Sequence, residues 1–245
     1  MCRGLATDAP VITRHPSISY TQAMDETVQK KRRKPVDPAQ TRTNDPERTM
    51  ADIIRVATRE FSEKGLAGAR IDVIAEAMCT SKRMIYYYFG SKEGLYIRVL
   101  EEAYRRIREI ESGLHLDDLA PEDALRKLVG FTVDYQMANP DFIRLVATEN
   151  IHRGEYLAQS SVIQQLNVPA IEGLRRVYER GLEAGIFRSG IDPVDLHMSI
   201  SALSVFNVAN RHTFSLIFQR ELDSAAAIIA RRDSIIEMIV RFVRK

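Results

Sequence analysis

The chain has 245 residues, 45% of them apolar and 28% charged, with a mean hydropathy of −0.21 and a net charge of +2, the profile of a folded globular protein with room for one or two domains. No run approaches the roughly 20 apolar residues of a bilayer span. The two cysteines, Cys2 and Cys79, exclude a disulfide framework and a four-cysteine metal centre. The opening residues lack an apolar core of the secretory type, so the expected location is the cytoplasm. The near-neutral charge hides an asymmetry: residues 1–98 hold 17 Lys/Arg against 12 Asp/Glu, and residues 99–245 hold 18 against 21. A basic N-terminal side is compatible with nucleic acid, although such an excess is more often only a solvated surface.

Residues 1–44 show no sustained apolar periodicity and read as a disordered basic arm. The run Lys30-Lys31-Arg32-Arg33-Lys34 lies within it. Such a block can release counterions from DNA phosphates, act only as a solvated tail, or serve as an import address in a nucleated cell.

Asp45-Pro46-Glu47 predicts a helix start, with Asp as cap, Pro in the first turn and Glu complementing the dipole. Ile53, Ile54, Ala57 and Phe61 share one helical face, and Lys64-Gly65 predicts the stop. A shorter stripe, Ile71, Ile74, Ala75 and Met78, precedes a turn at Cys79-Thr80-Ser81. A third helix, Lys82 to Phe89, has Ser81 as N-cap and Gly90 at the left-handed exit. Two short helices joined by a tight turn describe a helix-turn-helix, whose second helix can enter the major groove. That second helix carries Lys82, Arg83, Tyr86, Tyr87 and Tyr88, while Ile85 and Phe89, four apart, can anchor it. Lysine and tyrosine suit phosphates and arginine suits guanine edges, although tyrosines also simply pack.

Residues 46–100 resemble the DNA-binding domain of the TetR family of bacterial repressors. The likeness runs through Ile53-Ile54, Phe61 and Gly65, Ile74-Ala75, Ser81-Lys82, Ile85-Tyr86-Tyr87-Tyr88-Phe89 and Ser91-Lys92-Glu93-Gly94-Leu95. It implies a helix-turn-helix domain over 45–91 and a ligand-binding and dimerisation domain over 92–245. It also implies that Lys82, Arg83 and Met84 meet base edges and backbone, that Tyr86 and Tyr87 face DNA, and that Tyr88 and Lys92 meet phosphates. Ser81 and Arg70 complete the expected DNA-facing set.

Three positions depart from the family pattern. Cys79 stands where Gly is usual in the turn, which points to a turn of other geometry. Ala69-Arg70 replaces a Thr pair, losing a hydroxyl cap that Arg70 can substitute with charge. Met84 stands where a small hydroxyl residue is common and favours an apolar contact such as a thymine methyl.

A fourth helix is predicted from Ser91 through Leu95, Leu100, Tyr104 and Ile107 to Ser112-Gly113. Others follow near 121–138, 140–152, 162–184 with Pro169 as a possible kink, 193–213, and Ser224 to Val243. No strand alternation is convincing, so the fold class is all-α.

Catalytic signatures are absent: there is no G-x-S-x-G, H-E-x-x-H, P-loop or Gly-rich dinucleotide turn. The histidines lack ligand spacing, so neither a metal nor a cofactor is expected. His197, Ser201 and Ser204 recur on one helical stripe amid apolar residues, either lining a cavity or forming a wetted face. The resemblance adds Phe131, Tyr135 and Asn150, with Tyr178 as a further candidate, around an effector site; core packing explains the same residues. The last helix carries Ile228, Ile235, Ile236, Ile239, Phe242 and Val243, a stripe for either a two-fold helix bundle or an internal core.

The expected function is a homodimeric repressor that binds a palindromic double-stranded DNA operator and is released by a small-molecule effector, with no reaction catalysed. The rivals are a helical small-molecule carrier or enzyme, and a helical scaffold without DNA binding.

Overall fold

A computed structural model describes residues 45–245, and the basic arm read over 1–44 lies outside the described residues. The first helix, α1 (Pro46–Gly68), starts where expected: the Asp45 carboxylate accepts from Arg48 N at 3.1 Å, with Pro46 in the first turn. Its predicted stop appears as a kink. Gly65 takes φ +65°, a left-handed conformation that favours glycine, before one more turn reaches Gly68. The helix-turn-helix follows as α2 (Ile71–Ala77) and α3 (Lys82–Phe89). Ser81 Oγ caps α3 at Met84 N, and Gly90 leaves it at φ +74°. The long helix α4 (Lys92–Ser112) begins at once, with Ser91 Oγ accepting from Gly94 N at 3.0 Å.

A 3-10 turn (Leu116–Asp118) leads to α5 (Pro121–Ala138) and α6 (Pro140–Ile151), both opened by Pro in the first turn. A second 3-10 turn (Leu157–Gln159) precedes α7 (Ser161–Glu183), which runs through an exposed Pro169. The chain ends with α8 (Pro193–Ala209), α9 (Arg211–Phe218) and α10 (Ala225–Val243). The described residues form no strand, only an isolated bridge between Phe187 and Arg244. The all-α expectation holds.

Two apolar cores organise these helices. The first joins the inner faces of α1, α2 and α3 to Leu95, Tyr96, Val99 and Leu100 of α4, and takes in Leu145 of α6 and Ile163 of α7. The second is built from α5, α7, α8 and α10, with Phe187 between them. The N-terminal half of α4 therefore belongs to the helix-turn-helix core, while Ile107 and its neighbours continue toward the C-terminal helices. A buried polar link reinforces this course: Ser160 Oγ donates to Glu101 at 2.7 Å and accepts from Ile163 N, tying α4 to the start of α7.

One reading needs correction and one is resolved. The helix expected to reach about residue 213 stops at Ala209, because Asn210 turns its backbone N–H and its side-chain amide back to Phe206 O. The short α9 that follows has no side-chain cap and no buried residue, hence no start signal or inward stripe in the sequence. The final stripe divides: Ile235, Ile236, Ile239 and Val243 fill the chain's own core, the second of its two readings, with Ile228 half-buried, while Phe242 of the same stripe is exposed beside Ile229 and Met238.

Candidate nucleic-acid interface and internal cavity

Ile85 is fully buried and Phe89 nearly so, and these two pins hold α3 with its other face outward. That face carries Lys82, Arg83, Tyr86 and Tyr87, all exposed, with Tyr87 77% exposed. Tyr88 is different: half-buried, it stands edge-on to Tyr87 and Phe89 at 5.3 and 6.3 Å and packs on the first core. Met84 is half-buried, and the Ser81 hydroxyl is committed to capping α3.

The cations on this side are partly tethered. Arg70 donates to Asp72 through Nη2 at 2.5 Å, and Lys82 Nζ lies 3.9 Å from the same carboxylate. The hydrogen bond from the Arg70 guanidinium holds the Asp72 carboxyl below the usual carboxylate range. Lys92 Nζ donates to Ala67 O at 3.3 Å, pinning the start of α4 to the last turn of α1. No side chain caps the start of α2; instead the buried Glu60 carboxylate accepts from Arg70 N at 3.1 Å and from Lys64 Nζ at 2.8 Å, tying the chain just before α2 back to α1. Sequence reading missed Glu60 and Asp72: the Glu60–Lys64 pair has ordinary i,i+4 spacing, but the Glu60 contact with Arg70 N and the approach of Lys82 to Asp72 each span ten residues and carry no local mark.

Cys79 corrects the expectation about the turn. It adopts φ +48°, so the left-handed geometry persists without the glycine that would take it free of strain.

In the other half, a cavity of about 360 Å³ opens between α4, α5, α6 and α8. Four predicted residues line it: Phe131, Asn150, His197 and Ser201. Tyr135 stands behind the wall, its ring 5.8 Å from Phe131 and 6.2 Å from Phe142. Two predicted residues are not brought there. Tyr178 is buried among the second core, where its hydroxyl donates to Arg188 O at 2.8 Å and accepts from Ile191 N, fastening the loop before α8. Ser204 is buried and donates to Ile200 O within its own helix.

The lining also holds residues that sequence reading missed. Arg108 and Glu111, both largely buried, form an ion pair at the cavity wall. Arg108 Nε and Gln136 Oε1 are buried without a hydrogen-bond partner. Burial pushes the Glu111 carboxyl up, against the opposing pull of Arg108. His197 is pushed down by burial and then by the Arg108 charge, which favours neutral imidazole. Tyr104 of α4 meets Phe142 of α6 edge-on at 5.3 Å, adding an aromatic corner. Arg108 was missed because it sits in a run of charged residues, Arg105 to Glu109, interrupted only by Ile107.

Cavity and helix-turn-helix share structural members. α4 and α6 both line the cavity, and both pack against α1. Among the described residues, no three His, Cys, Asp or Glu side chains gather as a metal site, and no helix is long and apolar enough to cross a membrane.

Comparison with known proteins gives a consistent result. Residues 53–99 match the model for bacterial regulatory proteins of the tetR family, and residues 121–239 match the tetracyclin repressor-like C-terminal domain. The chain is 40% identical over 174 residues to the HTH-type transcriptional repressor NicS of Pseudomonas putida, covering 71% of this chain and 82% of that protein. It is 32% identical over 139 residues to the HTH-type transcriptional repressor SCO4008 of Streptomyces coelicolor, covering 56% and 69%. Among solved structures, a tetR-family regulatory protein from Rhodococcus RHA1 superposes with a TM-score of 0.64 at 21% identity, covering 80% of this chain and 97% of that one. AibR, solved in complex with isovaleryl coenzyme A and operator DNA, gives 0.58 at 16% identity, covering 78% and 97%. The two superpositions speak for the fold alone.

Proposed function

The chain belongs to the TetR family of bacterial regulatory proteins, and from that membership we propose a repressor that grips a palindromic operator as a homodimer and releases it when a small molecule fills the cavity. The observation that carries this reading is the outward face of α3, where Lys82, Arg83, Tyr86 and Tyr87 stand exposed on a helix pinned from beneath by Ile85 and Phe89. Arg83 reads a base edge, Lys82 and the tyrosines meet the backbone beside it, and Arg70 and Lys92 add phosphate contacts at the flanks. Ser81 acts by setting the start of α3, Tyr88 steadies the helix from its half-buried position, and Met84 supplies an apolar edge.

Dimerisation is supported by apolar side chains that α8 and α10 leave exposed: Val194, Met198 and Phe206 on one, Ile229, Met238 and Phe242 on the other. A two-fold axis through these faces would bury them against their copies and set two α3 helices on one side of a duplex. Release follows from shared members. A ligand wedged between α4 and α6 favours a different spacing of those helices, and each carries part of the helix-turn-helix support, so the distance between recognition helices changes. The energy available is the ligand's difference in affinity between the two spacings.

The test is a fluorescence-anisotropy titration of the full chain against DNA from the promoter of its own gene and its neighbours, beside scrambled duplexes. A saturable, salt-dependent preference for one inverted repeat, at two protomers per duplex, is the expected result. Equal affinity for every sequence, or none, would return the protein to the class of helical carriers or scaffolds.

A further inference from the structure

Resting on the reading of the cavity as an effector site, we infer that its ligand is a small planar aromatic carboxylate with a hydrogen-bond donor on the ring edge away from the acid. The argument starts from two polar atoms left over after the fold is complete. Arg108 gives Nη1 to Glu111, but its Nε is buried with no partner, and the guanidinium therefore keeps one donor edge uncommitted. An unpaired buried donor is costly to leave, and a carboxylate laid along that edge is the group whose geometry answers it. Gln136, 4% exposed on α5, leaves Oε1 without a partner in the same cavity. That oxygen only accepts, so the complementary ligand atom is an O–H or N–H.

Between these two fixtures the lining is largely apolar, with Asn150, His197 and Ser201 as its further polar members. Tyr104, Phe131 and Phe142 line the space, and Ile143, Val146 and Val205 fill the gaps. Rings favour edge-to-face and offset contact with another ring. The volume, about 360 Å³, is near the lower end of the range for ligand pockets, about 300–1,000 Å³, and suits one or two rings rather than a long acyl chain. The charge balance is workable. A second carboxylate beside Arg108 adds one negative charge to the Arg108–Glu111 pair, and Glu111, already pushed toward its protonated form by burial, is the group to neutralise it.

Isothermal titration of the full chain with four probes tests this: 4-hydroxybenzoate, benzoate, 4-hydroxybenzamide and cyclohexanecarboxylate. The acid should bind at least about tenfold more tightly than its neutral amide, in line with a charge-assisted contact. 4-Hydroxybenzoate should also exceed benzoate, and benzoate should exceed the saturated acid. Arg108→Met should bring acid and amide within about twofold of one another, and Gln136→Leu should erase the advantage of the ring hydroxyl, both judged against the rule that about 1.4 kcal/mol is tenfold. The comparison among probes on the unaltered protein stands even if a variant fails to fold. Equal affinity for acid and amide, or no binding of any aromatic acid by a preparation that still binds its inverted repeat, would overturn the inference and leave the repressor reading intact. Loss of DNA binding in the same preparation would instead count against the repressor reading itself.

Discussion

Arg70 and Asp72 form a forked ion pair at the edge of the α3 surface, with Nε 3.4 Å from one carboxylate oxygen and Nη2 2.5 Å from the other. The same carboxylate sits 3.9 Å from Lys82, so a single acid restrains two cations that a phosphate would otherwise engage. On the proposed reading of this surface, binding DNA exchanges those contacts for phosphates. Asp72→Asn should therefore raise operator affinity by about threefold to tenfold at low salt, with the gain shrinking as salt screens the surface. Anisotropy titrations from 50 to 300 mM salt read this directly; unchanged affinity at low salt would place the pair outside the DNA footprint.

Arg83 and Lys92 should separate specificity from affinity. Lys92→Ala is expected to weaken binding to all duplexes alike and to lower the salt slope by about 1. Arg83→Ala should cost about 1–3 kcal/mol on the preferred site and much less on scrambled DNA. A uniform loss on every sequence for Arg83→Ala would remove it from base reading.

At the turn, Cys79 holds φ +48°. The left-handed conformation costs a side-chain-bearing residue about 1–2 kcal/mol, and glycine gives back part of that through its unfolded-state freedom. Cys79→Gly should raise stability by about 0.5–1 kcal/mol. Urea midpoints measure it, with Cys79→Ala as the control that should gain nothing.

Gly181 is under the opposite constraint. A Cβ there would stand 1.9 Å from Cδ2 of Phe187, whose ring is 1% exposed and lies parallel to Tyr178. The ring has no room to swing away, so Gly181→Ala should destabilise by about 2–3 kcal/mol. A drop of about 5–10 °C in melting temperature is the corresponding shift for a chain of this size, and a change under about 2 °C would show that the ring yields.

His197 sets a pH dependence. Its folded pKa lies below the ordinary imidazole value of 6.5, because burial and then Arg108 disfavour the imidazolium. The unfolded chain therefore takes up this proton first, and the stability His197 contributes is present above about pH 6.5 and lost as pH falls through the folded pKa. Glu111 runs the other way: its raised carboxyl contributes stability below its unfolded pKa, lost as pH rises through the folded value. Melting curves between pH 7.5 and 5 should show His197→Gln losing less stability on acidification than the unaltered protein. Parallel curves would mean that the imidazole is solvated.

Much of this protein was legible from local pattern alone, because helices announce themselves through 3.6-residue periodicity and capping side chains. The stripe from Ile53 to Phe61, the caps at Asp45 and Ser81, and the anchoring pair Ile85 and Phe89 all appear in the structure at the positions their spacing indicates. Other features depend on residues far apart in the chain and carry no local mark. Whether the isoleucines of α10 face inward or outward was decided by α5 and α8 packing over them. Arg108 became a cavity wall residue, and Tyr178 a loop fastener, only once four helices and a distant carbonyl were in place. Periodicity determines which residues share a face; what that face meets is settled by the packing of the whole molecule.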